Sequence, residues 1–447
     1  MVPELPEAEP RLQRRYQQLV VAHLSESQRI AAGLHPPPMR GDSFAAVQAA
    51  WRFYSNPRIS LPRLAQPLVE CARLGVWAAC EDWVLVVHDW SNLRFNQHAG
   101  KKDRVELSNK NDLGYDLLTA LVVSDRDGSP LAPVDLELKA ADGIHSTRAS
   151  AVLSPLSQLD WLTEVVRHVE GMGLGRKLVH ALDREADSVG LYRQWDASGW
   201  HFLIRADDNR IVLHNGQETH LGQLAATLQG KMPRAGRVKL HGQDVWHWIG
   251  EAPVVLHRRA MQHRVRDGKA QHVLIPGVPL TLRLAVSELR DENEQVLTRW
   301  LLLTNLPQSV TAATVALWYL WRWKIESYHK LLKGAGQQVE SWQQETAEAL
   351  ARRLTVVAMS AVVVWHLARD PRPEADEFRQ VLVRLSGRQM KRGRNRRNFT
   401  EPALLVGLGV LVPMLALLEH YDLKKLRQVA QEALPDLFPL PLRRESG

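Results

Sequence analysis

Two short apolar runs in this chain each close on an aspartate: Trp83–Val87 leads into His88-Asp89, and Lys177–Leu182 leads into Asp183. A carboxylate at the C-terminal end of a strand in an α/β sheet projects into the crevice where ligands bind. Further along, WYLWRWKIESYHKLLKGAG places Tyr319, Arg322, Glu326, Lys330 and Lys333 at offsets 0, 3, 7, 11 and 14. At about 100° per residue these five fall within roughly 80° of one another on a helix. One acid among three bases and a phenol is a surface for gripping phosphate while holding a cation. Asp89, Asp183 and Glu326 come from three separate elements and offer only oxygen donors, which suits a hard cation: Mg²⁺, with Mn²⁺ as a substitute. A pair of such ions ~3.5–4 Å apart would activate a water or a 3′-hydroxyl and stabilise the leaving 3′-oxygen of an in-line displacement, with no histidine base required.

The elements that must position these residues follow from periodicity. Residues 1–75 read as helical, with apolar residues at helical spacing over 11–23, 44–54 and 60–77, broken by His35-Pro36-Pro37-Pro38 and Asn56-Pro57. Strands are predicted at 83–87, 114–125 and 131–139, the last two joined through Asp127-Gly128. A helix over 157–169, a strand over 177–182, a helix over 185–194 and a strand over 200–205 come next. From 207 to 297 the texture is short β-type runs separated by Gly and Pro, with no long helix. A strand over 299–304 follows, and from Thr311 the pattern is helical. Gly171-x-Gly173-x-Gly175 invites a dinucleotide-binding reading, but Arg176 holds the sixth position and a strand follows where a helix should open, so it reads as a helix-to-strand turn.

Composition bounds the partners. The 447 residues, 45% of them apolar and 24% charged, can bury more than one core. Lys and Arg exceed Asp and Glu by 57 to 49, a surplus of +8 that fits a polyanion. Cys71 and Cys80 alone cannot make a disulfide framework or a cysteine zinc site, and a reducing cytosol fits. No secretory signal core opens the chain. The longest apolar stretch, 403–418, is 16 residues broken by Gly407, Gly409 and Pro413, short of the ~20 needed to span a bilayer. It reads as a packed or dimerising helix of a soluble protein.

These residues match a family. The chain resembles the cut-and-paste DDE transposases of bacterial insertion sequences, in the IS-four group (Tn-five-transposase-like). That group's Tyr-x2-Arg-x3-Glu-x6-Lys signature is met by Tyr319, Arg322, Glu326 and Lys333, and its Asp-Arg-Glu-Ala-Asp motif stands at 183–187. The resemblance implies an α/β, RNase H-like catalytic core with a β-rich insertion, flanked by helical N- and C-terminal domains. The interval of 143 residues from Asp183 to Glu326 leaves room for that insertion. The implied division is 1–75 for DNA binding, 76–206 and 298–370 for the core, 207–297 for the insertion and 371–447 for dimerisation. Asp89, Asp183 and Glu326 would be catalytic and hold the metal, while Tyr319, Arg322, Lys330 and Lys333 would position end phosphates. Trp300 aligns with a tryptophan that accommodates a flipped base during hairpin formation, and Arg205 with an arginine that contacts the transposon end. Implied partners are double-stranded DNA (terminal inverted repeats and target) and a second copy in the synapse, in a bacterial cytoplasm at the nucleoid, with no membrane.

Plainer uses compete with each assignment. Asp89 and Asp183 could cap helices, and the stripe on the 319–333 helix could be an exposed face with i,i+4 ion pairs. The joint match at fixed positions outweighs both. Arg184, Glu185 and Asp187 read as structural. Trp318, Trp321 and Trp323 read mostly as core. The basic loop 388–397 has six Lys/Arg in ten positions, and Lys391, Arg392, Arg394, Arg396 and Arg397 are expected on DNA phosphates. Two rival functions stay open: an RNase H-like nuclease that cuts without joining, and a catalytically silent or shortened end-binding protein or inhibitor.

Overall fold

The computed structural model describes residues 3–25, 43–109, 111–150, 152, 155, 157–240, 242–266, 269–334, 336–387, 399–419 and 421–433. The basic-loop residues Lys391, Arg392, Arg394, Arg396 and Arg397 lie outside these. In chain order the elements are α1 (Pro10–Ser25), α2 (Ser43–Tyr54), α3 (Leu61–Ala79), β1 (Trp83–Arg94), β2 (Val105–Glu106), β3 (Leu113–Ser124), β4 (Pro130–Ala140), β5 (Gly143–Ser146), α4 (Gln158–Gly171), β6 (Lys177–Leu182), α5 (Val189–Ala197) and β7 (His201–Arg205). Then come β8 (Ile211–His214), β9 (Gln217–His220), α6 (Leu221–Leu228), β10 (Arg234–Leu240), β11 (Gln243–Leu256), β12 (Ala260–Arg266), β13 (Lys269–Ile275), β14 (Leu280–Arg290) and β15 (Val296–Thr304). The chain closes with α7 (Ala312–Trp321), α8 (Trp323–Leu332), α9 (Ala347–Arg369), α10 (Pro373–Leu385), α11 (Glu401–Leu418) and α12 (Leu423–Ala433).

Among the described residues one mixed sheet runs in the order β5-β4-β3-β1-β6-β7-β15-β14-β11-β8-β9, with β2 on β3 and β10 on β11. β1, β3 and β4 form an antiparallel meander, and β6 and β7 add on in parallel. Nearly every residue of β3 and β4 is buried, as expected for strands covered on both faces. Leu162, Val165, Val166 and Val169 of α4 are fully buried, the face its spacing predicts. Ser157 opens that helix by accepting a hydrogen bond from the Asp160 N–H.

The region between β7 and β15 is β-rich, as expected, but its strands are longer than the short runs visible in the sequence. β11 pairs with β14 from Trp246↔Arg290 to Leu256↔Leu280. On β11 Val245, Ile249, Val254 and Leu256 enter the core, while half-buried Trp246 and Trp248 are flanked by guanidinium groups. Arg234 lies 4.2 Å from the Trp246 ring centre and Arg290 lies 4.6 Å from that of Trp248. β15 pairs with β7 on one side and β14 on the other, so the insertion continues the core sheet.

The helices before residue 80 share their core with the sheet. α3 packs on β4 and α9, and α1 packs on α9 and α11. Arg352, buried in α9, donates to the backbone carbonyls of Ile59 (2.7 Å) and Tyr54 (2.9 Å). α11 is long and apolar enough by length and composition to cross a membrane, with 28% of it buried. Its first half packs inside the protein, where Gly407 lies so close to the Leu382 carbonyl that no side chain fits.

The Asp127-Gly128 turn is under steric constraint from the signature region. Gly128 adopts φ +68, and a Cβ there would stand 2.5 Å from the Trp321 ring. Gly128→Ala combines left-handed strain with overpacking, so it should destabilise the protein by about 2–3 kcal/mol. Urea unfolding of the pair checks this; equal midpoints would mean the turn relaxes freely.

Candidate active site

The β1–β6 pairing sets Val87 against Ala181. Carrying that parallel register two residues on brings Asp89 level with Asp183, about one inter-strand spacing (~4.8 Å) away. The two aspartates differ in setting. Asp183 follows the last residue of β6, as expected, and its carboxylate accepts the Glu185 N–H at 3.0 Å. Asp89 does not end its strand: β1 runs on to Arg94 because β3 keeps pairing with it, Asp89 opposite Thr119. The aspartate therefore sits where its parallel neighbour stops and the sheet opens on that side.

α8 lies against β1 and supplies the rest. Lys333, just past the helix, donates to the Asn92 carbonyl at 2.7 Å, and Glu340 stands 3.9 Å from its ammonium. Arg322 Nη2 donates to Glu326 Oε1 at 3.0 Å, and Nη1 is 4.0 Å from Asp89 Oδ2. His329, one turn beyond Glu326, places Nδ1 3.8 Å from Asp89 Oδ2.

The expected continuous helix is broken at Arg322. α7 ends at Trp321 and α8 begins at Trp323; the Arg322 N–H bonds to the Tyr319 carbonyl and the Ile325 N–H to that of Arg322, both the tighter i,i−3 pattern. The single polar stripe is thereby divided. Tyr319 is buried, its ring edge-on to buried Trp300 at 5.5 Å, and burial pushes its phenol up to about 12. Arg205, half-buried on β7, adds its field at that phenol. Arg322 and Glu326 face Asp89, Lys333 reaches β1 beyond the helix end, and Lys330 is exposed.

The electrostatics tie the acids together. Burial raises the Asp89 carboxyl to about 7; Arg322 opposes the rise, while Asp183, Glu326 and Glu185 add to it. Burial disfavours the Arg322 charge, but Tyr319, Asp89, Asp183 and Glu326 more than compensate, and its value stands above the ordinary one. Burial, then Lys333 and Arg322, push His329 down to about 3, so its imidazole is neutral, and its Nε2 is buried without a hydrogen-bond partner.

Among the described residues, no three His, Cys, Asp or Glu side chains stand close enough together to hold a metal ion. Glu326 is hydrogen-bonded to Arg322. The donor chemistry nonetheless fits a hard cation: the carboxylates of Asp89, Asp183 and Glu326 repel one another at a half-buried site, and oxygen is the only donor they offer. Asp187 is structural, as its sequence context suggests, accepting from the Asp207 N–H (2.9 Å), Tyr192 (3.0 Å) and Arg210 (3.1 Å).

Sequence reasoning passed over His329 and read Glu185 as structural. His329 is three residues from Glu326 and hence on the same helix face, a signal that was present in the spacing. Glu185 is exposed beside Asp183, and burial, Asp183 and Asp116 raise its carboxyl. The family model described as "Transposase DDE domain" matches residues 84–363, a span that opens in β1, closes in α9 and takes in Asp89, Asp183 and Glu326. No curated protein matches the chain.

Proposed function

The chain belongs to the family of transposases with a DDE domain, and from that premise we propose that it is a cut-and-paste DNA transposase of the IS-four group, built on an RNase H-like core. The observation that carries the reading is the register of β1 on β6, which levels Asp89 with Asp183, together with α8, which sets Glu326 and Arg322 against them. An antiparallel meander, a helix, a parallel strand, a helix and a second parallel strand, interrupted by a β-rich insertion, supports that core.

Asp89, Asp183 and Glu326 would hold Mg²⁺ or Mn²⁺, which would supply Lewis-acid polarisation of a phosphoryl oxygen and a lowered pKa for the attacking water or 3′-hydroxyl. Arg322, Lys330 and Lys333 bind phosphates of the element's end, and Arg205 adds a contact from β7. Arg322 offers a planar fork suited to phosphate oxygens, whereas the lysines act as point charges. Trp300 and Tyr319 close on each other in the free chain. Parting them would let Trp300 stack on an extruded base, a contact worth ~1–3 kcal/mol, in a hairpin pathway of excision.

Two ends are brought together by two copies of the chain. Val410, Met414 and Leu415 on α11 and Leu423, Leu426 and Val429 on α12 are exposed apolar side chains at the C-terminal end, and a second copy would cover them. The basic loop 388–397 adds phosphate contacts, and the site of action is the bacterial nucleoid.

Incubating the protein with a labelled element end and Mg²⁺, then resolving products on a denaturing gel, tests the proposal. Nicked, hairpin and joined species are expected in that order of appearance. Nicks that never join would favour the plain nuclease, and binding without any cut would favour the silent end-binding protein.

A further inference from the structure

We infer that Arg322 is the resident counter-cation of the carboxylate cluster, neutralising the acids that would hold the ion until a DNA phosphate draws its guanidinium away, so that DNA binding and ion loading are coupled. This rests on the metal-dependent reading above. Arg322 lies between the groups concerned. One nitrogen is 3.0 Å from Glu326 Oε1, another is 4.0 Å from Asp89 Oδ2, and the side chain is 9% exposed. Its Nε is buried with no hydrogen-bond partner. The guanidinium is thus incompletely satisfied by its present neighbours, and it has a donor left for an incoming acceptor.

The backbone supplies a place for movement. Arg322 is the one residue between α7 and α8, where tight i,i−3 bonds replace the helical pattern. Its guanidinium stands 5.8 Å from the ring centres of both Tyr319 and Trp323, so aromatic faces flank it. A cation and a divalent ion repel strongly at a half-buried site. Glu326 cannot serve both fully, because its Oε1 is already hydrogen-bonded to Arg322. A phosphate offers the guanidinium two parallel hydrogen bonds in place of one, and the scissile phosphate must reach these same carboxylates. Linkage then requires reciprocity: if DNA tightens ion binding, the ion tightens DNA binding by the same factor.

The test measures Mn²⁺ binding to the full-length protein without DNA, from the electron paramagnetic resonance of free Mn²⁺. Arg322→Gln and Arg322→Met should each bind Mn²⁺ about 10-fold more tightly than wild type, a typical size for such a coupling. Adding Glu326→Ala should remove that gain. Misfolding cannot produce tighter binding, and circular dichroism identifies a variant that fails to fold. In the wild-type chain, a short 5′-phosphorylated duplex should tighten Mn²⁺ binding by a similar factor, measured against Glu326→Ala as background, and Arg322→Gln should abolish the coupling. Wild-type affinity in folded Arg322 variants, with binding still dependent on Glu326, overturns the counter-cation role alone; so does a duplex effect that persists in Arg322→Gln. Mn²⁺ binding indifferent to Glu326→Ala in every form overturns the metal-site reading beneath it.

Discussion

Glu326→Ala lowers Mg²⁺-dependent cleavage of an element end by ~10³-fold or more, while end binding measured without divalent ion stays within a few-fold of wild type. The size follows from what three carboxylates do together. Loss of one leaves the others unable to hold the ion in its working position, and about 4 kcal/mol of barrier corresponds to a thousandfold in rate. Asp89→Ala and Asp183→Ala should fall to the same floor. Doubly substituted chains should be no worse than singly substituted ones, because residues that act as one unit are strongly non-additive. Binding survives for a separate reason: Lys330 on α8, and Arg322 and Lys333 at its two ends, keep their charges when Glu326 is gone. Folding should survive too, since removing one of several mutually repelling acids relieves the strain on Asp89. Single-turnover rates set beside filter-binding constants read both quantities. A Glu326→Ala chain that cut at the wild-type rate would remove the acid triad from the mechanism.

The aspartates were legible because strand-end position and residue type are local properties. Val84, Leu85, Val86 and Val87 are fully buried, so the apolar run that announced Asp89 reflects real burial on both faces. The continuation of β1 to Arg94 was not legible, because its second half is held by pairing with β3, a contact made 20 to 30 residues away in sequence. The same limit applies to α7 and α8. Helical periodicity reports which residues would share a face on an unbroken helix, and it carries no information about a break at Arg322. There the guanidinium's pull toward Glu326 and Asp89 and the packing of Tyr319 on Trp300 place adjacent turns in different surroundings. The insertion was legible as β-rich but not as long strands, since β11 is held along its length by pairing with β14, whose partners lie 24 to 44 residues away in sequence. His329 was readable from spacing and was passed over, because the chemistry required no histidine.

Acidification should loosen the N-terminal helix from the catalytic region, and His23 is the group that decides it. His23 is fully buried in α1. Its Nδ1–H donates to Gln337 Oε1 at 3.0 Å, its Nε2 accepts from the Tyr54 hydroxyl at 3.1 Å, and Gln337 returns a hydrogen bond to the His23 carbonyl at 2.9 Å. With the imidazole neutral Nδ1 donates and Nε2 accepts; charging it makes Nε2 a donor and reverses the bond with Tyr54. Burial, with the Arg353 charge adding and the Gln337 hydrogen bond opposing, pushes its pKa from 6.5 down to about 3. The folded chain therefore binds fewer protons than the unfolded one. The stability due to His23 is fully present above about pH 6.5 and is lost as the pH falls toward 3, roughly 2 kcal/mol of it by pH 5. His329, pushed to about 3, and His247, pushed to about 4, act with the same sign, so the test is a difference. His23→Gln should flatten the fall in urea midpoint between pH 6.5 and 5 by about that 2 kcal/mol, and an unchanged slope would assign the acid sensitivity to the other histidines. The consequence reaches the active site because Gln337 lies four residues past Lys333, in the turn whose Gln338 and Gly336 N–H groups both bond back to the Lys333 carbonyl. Charging His23 leaves the Nδ1–H bond to Gln337 available, so it is the cost of the buried charge, drawing α1 toward water, that takes Gln337's partner from that turn and slackens the hold of Lys333 on β1 beside Asp89.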